Sequence, residues 1–373
     1  MTWNHERGIK PLVLASEIFK QKYSIEIEWD ARSLSDFEIF PLDELAEKYD
    51  MIMIDHPHIG VAARENLLLP LEDYLNADFL LEQENGSVGL SYKSYSWNKS
   101  QYAIPLDAAA QVSVRREDLL SVCPFTWDDV FNLPANLPKG QYMAIPLVAQ
   151  HVFSSFFTLC SHFDSTAFWS DGSLLDQTRG QKALDYLERL IKISHPESSN
   201  MDPIIMLNMM IESDEIVYSP LVYGYSNYSR TTFTKKILTF ADMPSSELGP
   251  QGSMIGGVGL SLTSKCRDVD SCLKFLQMIG APDFQKNEIN LADGQPGHIL
   301  AWQDKKVNKD SNNFFINTLK TLQMGSLRPR FDGVVEFQKQ AGTLLCEELI
   351  KSNIDKKSII NKLNLLFKDN CRI

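Results

Sequence analysis

Several signatures that would name an activity are missing from these 373 residues. There is no GxSxG, so a nucleophile elbow has no candidate. Neither GxGxxG nor GxxxxGK[ST] occurs, which removes two common phosphate-cradling loops. The six cysteines, at 123, 160, 266, 272, 346 and 371, form no CxxC pair. They read as free, mostly buried thiols of a reducing compartment, because a chain this long needs no disulfide staples. No apolar run approaches the roughly 20 residues of a membrane span, so no membrane insertion is expected. The opening MTWNHERGIKPLVLAS lacks a basic start, an apolar run and a small-residue cleavage site, so it does not read as a secretory signal. As it stands the sequence is expected to be cytoplasmic. A removed leader replaced by Met1 would give the same letters, with a periplasmic or extracellular protein. Positive charge is short as well: 48 acidic residues against 36 basic give a net charge of −12. That field repels nucleic acid and anionic membranes, and no basic stripe offsets it, so neither is an expected partner.

What is present is the balance of a soluble globular protein, 44% hydrophobic and 23% charged, with length for two compact lobes and no fixed-period repeat. Pro11–Tyr23 has apolar residues at helical spacing, and Ser24–Trp29 alternates as a strand does. A helix over Pro41–Tyr49 and the apolar run Met51–Ile54, ending in Asp55, follow. Strand alternating with helix predicts a parallel α/β sheet, whose ligands bind beyond the carboxyl ends of the strands. Two such ends are Trp3-Asn4-His5-Glu6-Arg7-Gly8 and Asp55-His56-Pro57-His58-Ile59-Gly60. Further on, Thr126 reads as a helix N-cap and Gly180–Ile193 as an amphipathic helix. Glu215–Tyr218 and Met254–Leu262 read as strands, and Asp268–Ile279 and most of Val334–Phe367 as helix.

The order of these segments resembles the extracellular solute-binding proteins of ABC importers, the carbohydrate-type group with the type II periplasmic-binding fold. The stretch SQYAIPLDAAAQVSVRREDLL looks like that family's first lobe crossover, and Thr126-Trp127-Asp128-Asp129 like the element that follows it. Met254-Ile255-Gly256-Gly257-Val258-Gly259-Leu260 resembles the glycine-rich return strand. Gly294-Gln295-Pro296-Gly297-His298 and Arg328-Pro329-Arg330 are similar to late elements of one subgroup. The resemblance covers nearly the whole chain. It implies an α/β, two-lobed fold hinged by crossover strands with a helical C-terminus. One lobe would hold residues 1–108 plus 258–312, the other 109–257 plus 313–373. A small polar solute, a sugar or a sugar-like or acidic metabolite, would be held between them without a cofactor. An ABC permease would be the partner if the chain is exported.

Sugars are bound by aromatic faces and by planar bidentate polar groups. Trp3, Trp97, Tyr223, Tyr225, Tyr228 and Trp302 are the aromatic candidates, with core packing the competing role for each. Asp107, beside Pro105 at the proposed hinge, and Asp55, at a strand end, are carboxylates for hydroxyl groups; a helix cap competes at Asp107. Asn4, His5, His56 and His58 sit on strand-end loops. Three imidazoles there would suit zinc only if they converged, and no metal is expected. Arg7, Arg230, Arg328 and Arg330 are the cations; if two faced the cleft, the ligand would be acidic, whereas structural salt bridges are the alternative. Gly256 and Gly257 let backbone approach a ligand, or mark a bulge. A second reading keeps the fold and makes the chain a cytoplasmic enzyme, with His5, Glu6 and His56 as acid/base groups. Cys160 and His162 lie in a stretch that reads as a buried helix rather than as a catalytic dyad.

Overall fold

The computed structural model describes residues 1–33, 41–170, 173–351 and 353–372. The chain opens with β1 (Thr2–Trp3) and α1 (Glu6–Tyr23), followed by β2 (Ala31–Arg32), α2 (Leu42–Lys48) and β3 (Met51–Asp55). β4 (Ile104–Arg115) is twelve residues long and almost wholly buried. After β5 (Tyr142–Met143) come α3 (Ala149–Phe163), α4 (Gln177–Ile193), β6 (Ile216–Tyr223) and β7 (Thr239–Ala241). β8 (Ile255–Leu262), α5 (Val269–Gly280), α6 (Phe314–Gln323), α7 (Val334–Leu349) and α8 (Lys356–Asn370) complete the principal elements.

β4 serves two sheets. Its first half, through Ala110, pairs with β8, which pairs in turn with β3. From Gln111 onward it pairs with β6 and β7. One strand thus passes between two lobes, and the changeover lies beside Asp107. The crossover pairings are antiparallel; among the described residues only the strand pairs β1–β2 and β5–β6 run parallel. The parallel sheet expected from strand–helix alternation is therefore a mixed one. Connections that leave a lobe and return reverse direction, which periodicity within a segment does not register.

Each lobe has its own core. The first gathers Trp3, Phe19, Ile52, Ile54, Leu260, Leu262 and Phe275. The second gathers Trp127, Phe153, Phe156, Trp169, Leu184, Leu187 and Phe337. A third cluster, with Val112, Met206, Trp302, Phe314 and Phe315, packs behind β4. Trp302 and Val307 pack there with α6.

Local signals explain several elements. Ala183, Leu184, Leu187 and Leu190 of α4 are wholly buried, and each leucine contributes about 1.5–3 kcal/mol by leaving water. Thr126 caps the next helix by a reciprocal pair of bonds with Asp129, worth about 1 kcal/mol. The stretch Ser24–Trp29 is not a strand. Ile25, Ile27 and Trp29 alternate inward, but strand pairing is confined to Ala31–Arg32 against Thr2–Trp3. The period was that of a chain lying along a core, without a ladder partner. Cys160 is fully buried, and His162 accepts from Trp127 Nε1 at 2.9 Å and lies 2.9 Å from the Gln251 carbonyl. That pair is structural.

Candidate functional site

Where the two sheets meet, a chamber of about 80 Å³ is enclosed by both lobes. The first lobe supplies Trp3, Arg7, Asp55 and Asp107, and the second Gln150, His151, Ser154, Tyr223 and Tyr225. Ala109, Pro203, Gly256, Gly257, Val258 and Arg328 complete the wall.

Arg7 reaches the chamber because α1 starts one turn after β1 ends. His5 is the N-cap, its Nδ1 accepting from the Arg7 backbone N–H at 3.1 Å. Arg7 then donates from Nε and Nη2 to the two oxygens of Asp107, at 2.6 and 2.5 Å. Its Nη1 donates to the Gly224 carbonyl at 3.0 Å, and the guanidinium lies 4.5 Å from the centre of the Tyr225 ring. Burial works to lower the Arg7 pKa, but Asp107 outweighs it and the pKa is raised. Asp107 sits inside β4, opposite Val258 of β8, so it caps no helix.

Gly257 has φ of +105°, and a Cβ there would lie 2.2 Å from the Asp107 carbonyl oxygen. Only glycine allows this approach. The register shifts at the next step, between Val258 and Gly259. The close approach and the bulge, which sequence reasoning treated as alternatives, coexist.

Asp55 ends β3 and caps the turn that follows, accepting from the His56 backbone N–H. Arg328 donates to Asp55 at 2.5 Å and, through Nε, to His56 Nε2 at 3.1 Å. His56 is fully buried. Burial and then Arg328 hold its pKa far below the usual histidine value, so it is a neutral acceptor that positions Arg328. It does not line the chamber.

The chamber thus contains two guanidinium groups and two carboxylates, each cation matched by its own anion. Two arginines do reach the cleft, the condition on which an acidic ligand was expected, but both are already paired there. Balanced pairs present planar donors and acceptors without net charge, which suits vicinal hydroxyl groups.

Trp3, Arg7, Asp55, Asp107, Tyr223, Tyr225, Gly256, Gly257 and Arg328 are brought together as the sequence suggested. The others lie elsewhere. Asn4 is exposed. His5 is the helix cap described, its ring edge-on to Tyr225. His58 lines a separate surface pocket beside Phe331. Tyr228 is buried and donates to Asn208. Arg230 is buried against Asn290, with Asp293 at 3.6 Å, in a pocket behind the hinge. Trp302 is a core residue whose Nε1 donates to the Pro296 carbonyl at 2.7 Å. Trp97 lines a second groove that also touches Arg328. Glu6 is exposed and pairs with Lys10. Of the three proposed acid/base groups, His5, Glu6 and His56, none faces the chamber.

Gln150, His151 and Ser154 were not anticipated. They come from the first turns of α3. The signal was available: Pro146 precedes a helical run, and helix N-termini beyond strand ends present donors to ligands. Among the described residues His151 Nδ1 is buried without a hydrogen-bond partner.

Burial lowers both His5 and His151 to about 4, from 6.5. The unfolded chain therefore binds more protons than the folded one between these values. Stability is expected to be intact above about pH 6.5 and to fall toward pH 4, each histidine adding up to about 1.4 kcal/mol per pH unit. Denaturant melts across this range test it: His151→Gln should flatten the slope, and an unchanged slope would remove His151 as a contributor.

Residues 42–310 match the family model described as bacterial extracellular solute-binding protein. Solved structures agree in fold. An ABC-transporter solute-binding protein from Agrobacterium radiobacter K84, in complex with ribitol, aligns with a TM-score of 0.80 at 15% identity, over 96% of this chain and 94% of that one. The maltose-bound MalE3 of T. maritima gives 0.80 at 17%, over 97% and 96%. A solute-binding protein from Thermotoga lettingae TMO, bound with α-D-tagatose, gives 0.76 at 14%, over 96% and 95%. No curated protein sequence matches the chain. No helix among the described residues is long and apolar enough to cross a membrane. With the family model spanning well over half of its length, the chain belongs to the bacterial extracellular solute-binding proteins.

Proposed function

We propose that the chamber holds one neutral polyhydroxylated unit, a monosaccharide or a sugar alcohol, and that the protein delivers it to an ABC importer on the outer side of the membrane. The observation that carries this reading is the pairing of both chamber arginines with carboxylates. An anion bound there would face Asp55 and Asp107, while a hydroxyl-rich ligand can use donors and acceptors together. Size agrees. A space of about 80 Å³ holds on the order of six waters, roughly the room of one sugar ring. Tyr223, at its edge, offers an aromatic face of the kind that sugars stack on. The ribitol-bound and tagatose-bound neighbours support the same class. We take the hinge to lie near Ala110, where β4 changes partners.

The enzyme reading lacks its residues, since His5, Glu6 and His56 do not reach the chamber. A thermal-shift screen of hexoses, pentoses, sugar alcohols, amino acids and acyclic carboxylates is the test. A neutral sugar or alcohol at about a hundred times its Kd adds roughly 2.7 kcal/mol and should raise the midpoint by a few degrees. Recovery of the hit unaltered is expected. A response to amino acids alone, or a hit that is consumed, would sink the reading.

A further inference from the structure

Beside the chamber lies a groove of about 1060 Å³. The two share one lining residue, Arg328. The groove also lies between the lobes. Trp97 and Lys93 come from the first lobe, Phe168 from the second, and Arg330 and Phe331 from the segment that crosses between.

Its chemistry differs from that of the chamber. Arg328, Lys93 and Arg330 all border it, and among the described residues that line it none is an aspartate or glutamate. Arg328 is neutralised by Asp55 from the chamber side. Arg330 has no such partner: among the described residues it forms no ion pair, and its hydrogen bonds run from Nη1 alone. These go to the carbonyls of Lys93, Ser94 and Ser96, at 2.7, 3.2 and 2.8 Å. Those three bonds fix the guanidinium against the loop that carries Trp97. Burial without a countercharge lowers its pKa. In a protein of net charge −12, a hollow whose described lining carries cations and no carboxylate is a local reversal of sign. Trp97, partly exposed and held edge-on by Phe331 at 5.3 Å, adds an aromatic surface to the same wall.

We propose that the ligand is longer than the chamber: its polyol end fills the chamber, its next unit lies over Trp97, and an anionic group on that unit is gripped by Arg330 and Lys93. The class is an acidic disaccharide or oligosaccharide, with carboxylate, sulfate or phosphate as the anion. A guanidinium fork and a nearby ammonium serve any of the three. This rests on the reading of the chamber as a polyol site.

Calorimetry at low ionic strength tests it, using maltose, cellobiose and lactose beside their oxidised acids maltobionate, cellobionate and lactobionate, with monosaccharides in parallel. Each acid keeps one neutral ring and carries a carboxylate on the second unit. For the pair that binds, the acid is expected to bind at least about tenfold tighter, and high salt should erase most of the advantage. Lys93→Gln, at an exposed position, should remove much of it while leaving the neutral parent unchanged. Arg330→Gln should remove more, but its ties to three carbonyls make Lys93 the safer variant. Acids that bind no tighter than their parents would overturn the groove assignment and leave the chamber reading intact. Binding of monosaccharides without any disaccharide would do the same. If neither monosaccharides nor disaccharides bind, both readings fall.

Discussion

Asp107→Ala is expected to cost about 3–5 kcal/mol of stability and to weaken ligand binding at least about a hundredfold. The reason lies in what it abandons. The Arg7 and Asp107 side chains are each only 5% exposed, so neither charge has water to fall back on. Without the carboxylate, the guanidinium keeps one carbonyl, that of Gly224, and the face of Tyr225. Burial then acts on a group whose pKa Asp107 had held up, with the smaller effect of Tyr225 left to oppose it. Breaking one half of a buried pair is far more damaging than removing both halves. The double variant Arg7→Met, Asp107→Leu should therefore recover most of the lost stability but none of the binding, because the chamber loses a planar donor and a planar acceptor together. Arg7→Lys should fall between, keeping the charge and losing the fork. Denaturant melts and calorimetry on the set decide it. A loss below about 1 kcal/mol for Asp107→Ala would mean a solvated pair. A double variant that binds normally would take the pair out of the site.

The placement of these groups was legible in the sequence to the extent that it follows from topology. Trp3, Arg7 and Asp55 were found because strand ends in α/β folds face the ligand. Asp107, Gly256 and Gly257 were found because they sit on crossover strands. Their pairing was not legible. Arg7 meets Asp107 across 100 positions and Arg328 meets Asp55 across 273, and no local pattern encodes such partners. Two arginines facing the cleft therefore do not by themselves fix the charge of the ligand. Aromatic residues failed differently. Whether a tryptophan lines a cleft or fills a core depends on which face its helix turns inward. Trp302 lies in a five-residue helix, Ile299–Gln303, where polar neighbours on the open side hide a buried one. Arg230 misled likewise, since its glycine- and tyrosine-rich approach reads as cleft while its side chain turns to the rear. Strand Ser24–Trp29 was misread because alternation reports burial on one side and says nothing of a hydrogen-bonding neighbour.

Trp302→Ala separates fold from site most sharply. The side chain is 2% exposed, packed against Phe314 and Phe315, and its indole N–H donates to the Pro296 carbonyl. Truncation removes most of that packing and leaves a cavity, at an expected cost of about 3–5 kcal/mol, part of it from an unsatisfied carbonyl. No atom of Trp302 borders the chamber. Its indole bonds to Pro296, next to Gln295, whose amide donates to the carbonyls of Ala108 and Gly224 and accepts from the Ser226 backbone N–H. Those bonds hold the Tyr225 segment without help from the indole. Affinity of the folded fraction should accordingly stay within about threefold when measured well below the melting point. Trp302→Phe should recover much of the stability and leave affinity untouched. A tenfold or larger loss of affinity at native-like stability would return Trp302 to the binding surface and displace the chamber from its place. Asp107→Ala and Trp302→Ala carry similar stability costs, so any difference between them in binding cannot come from destabilisation. It must come from which side chain meets the ligand.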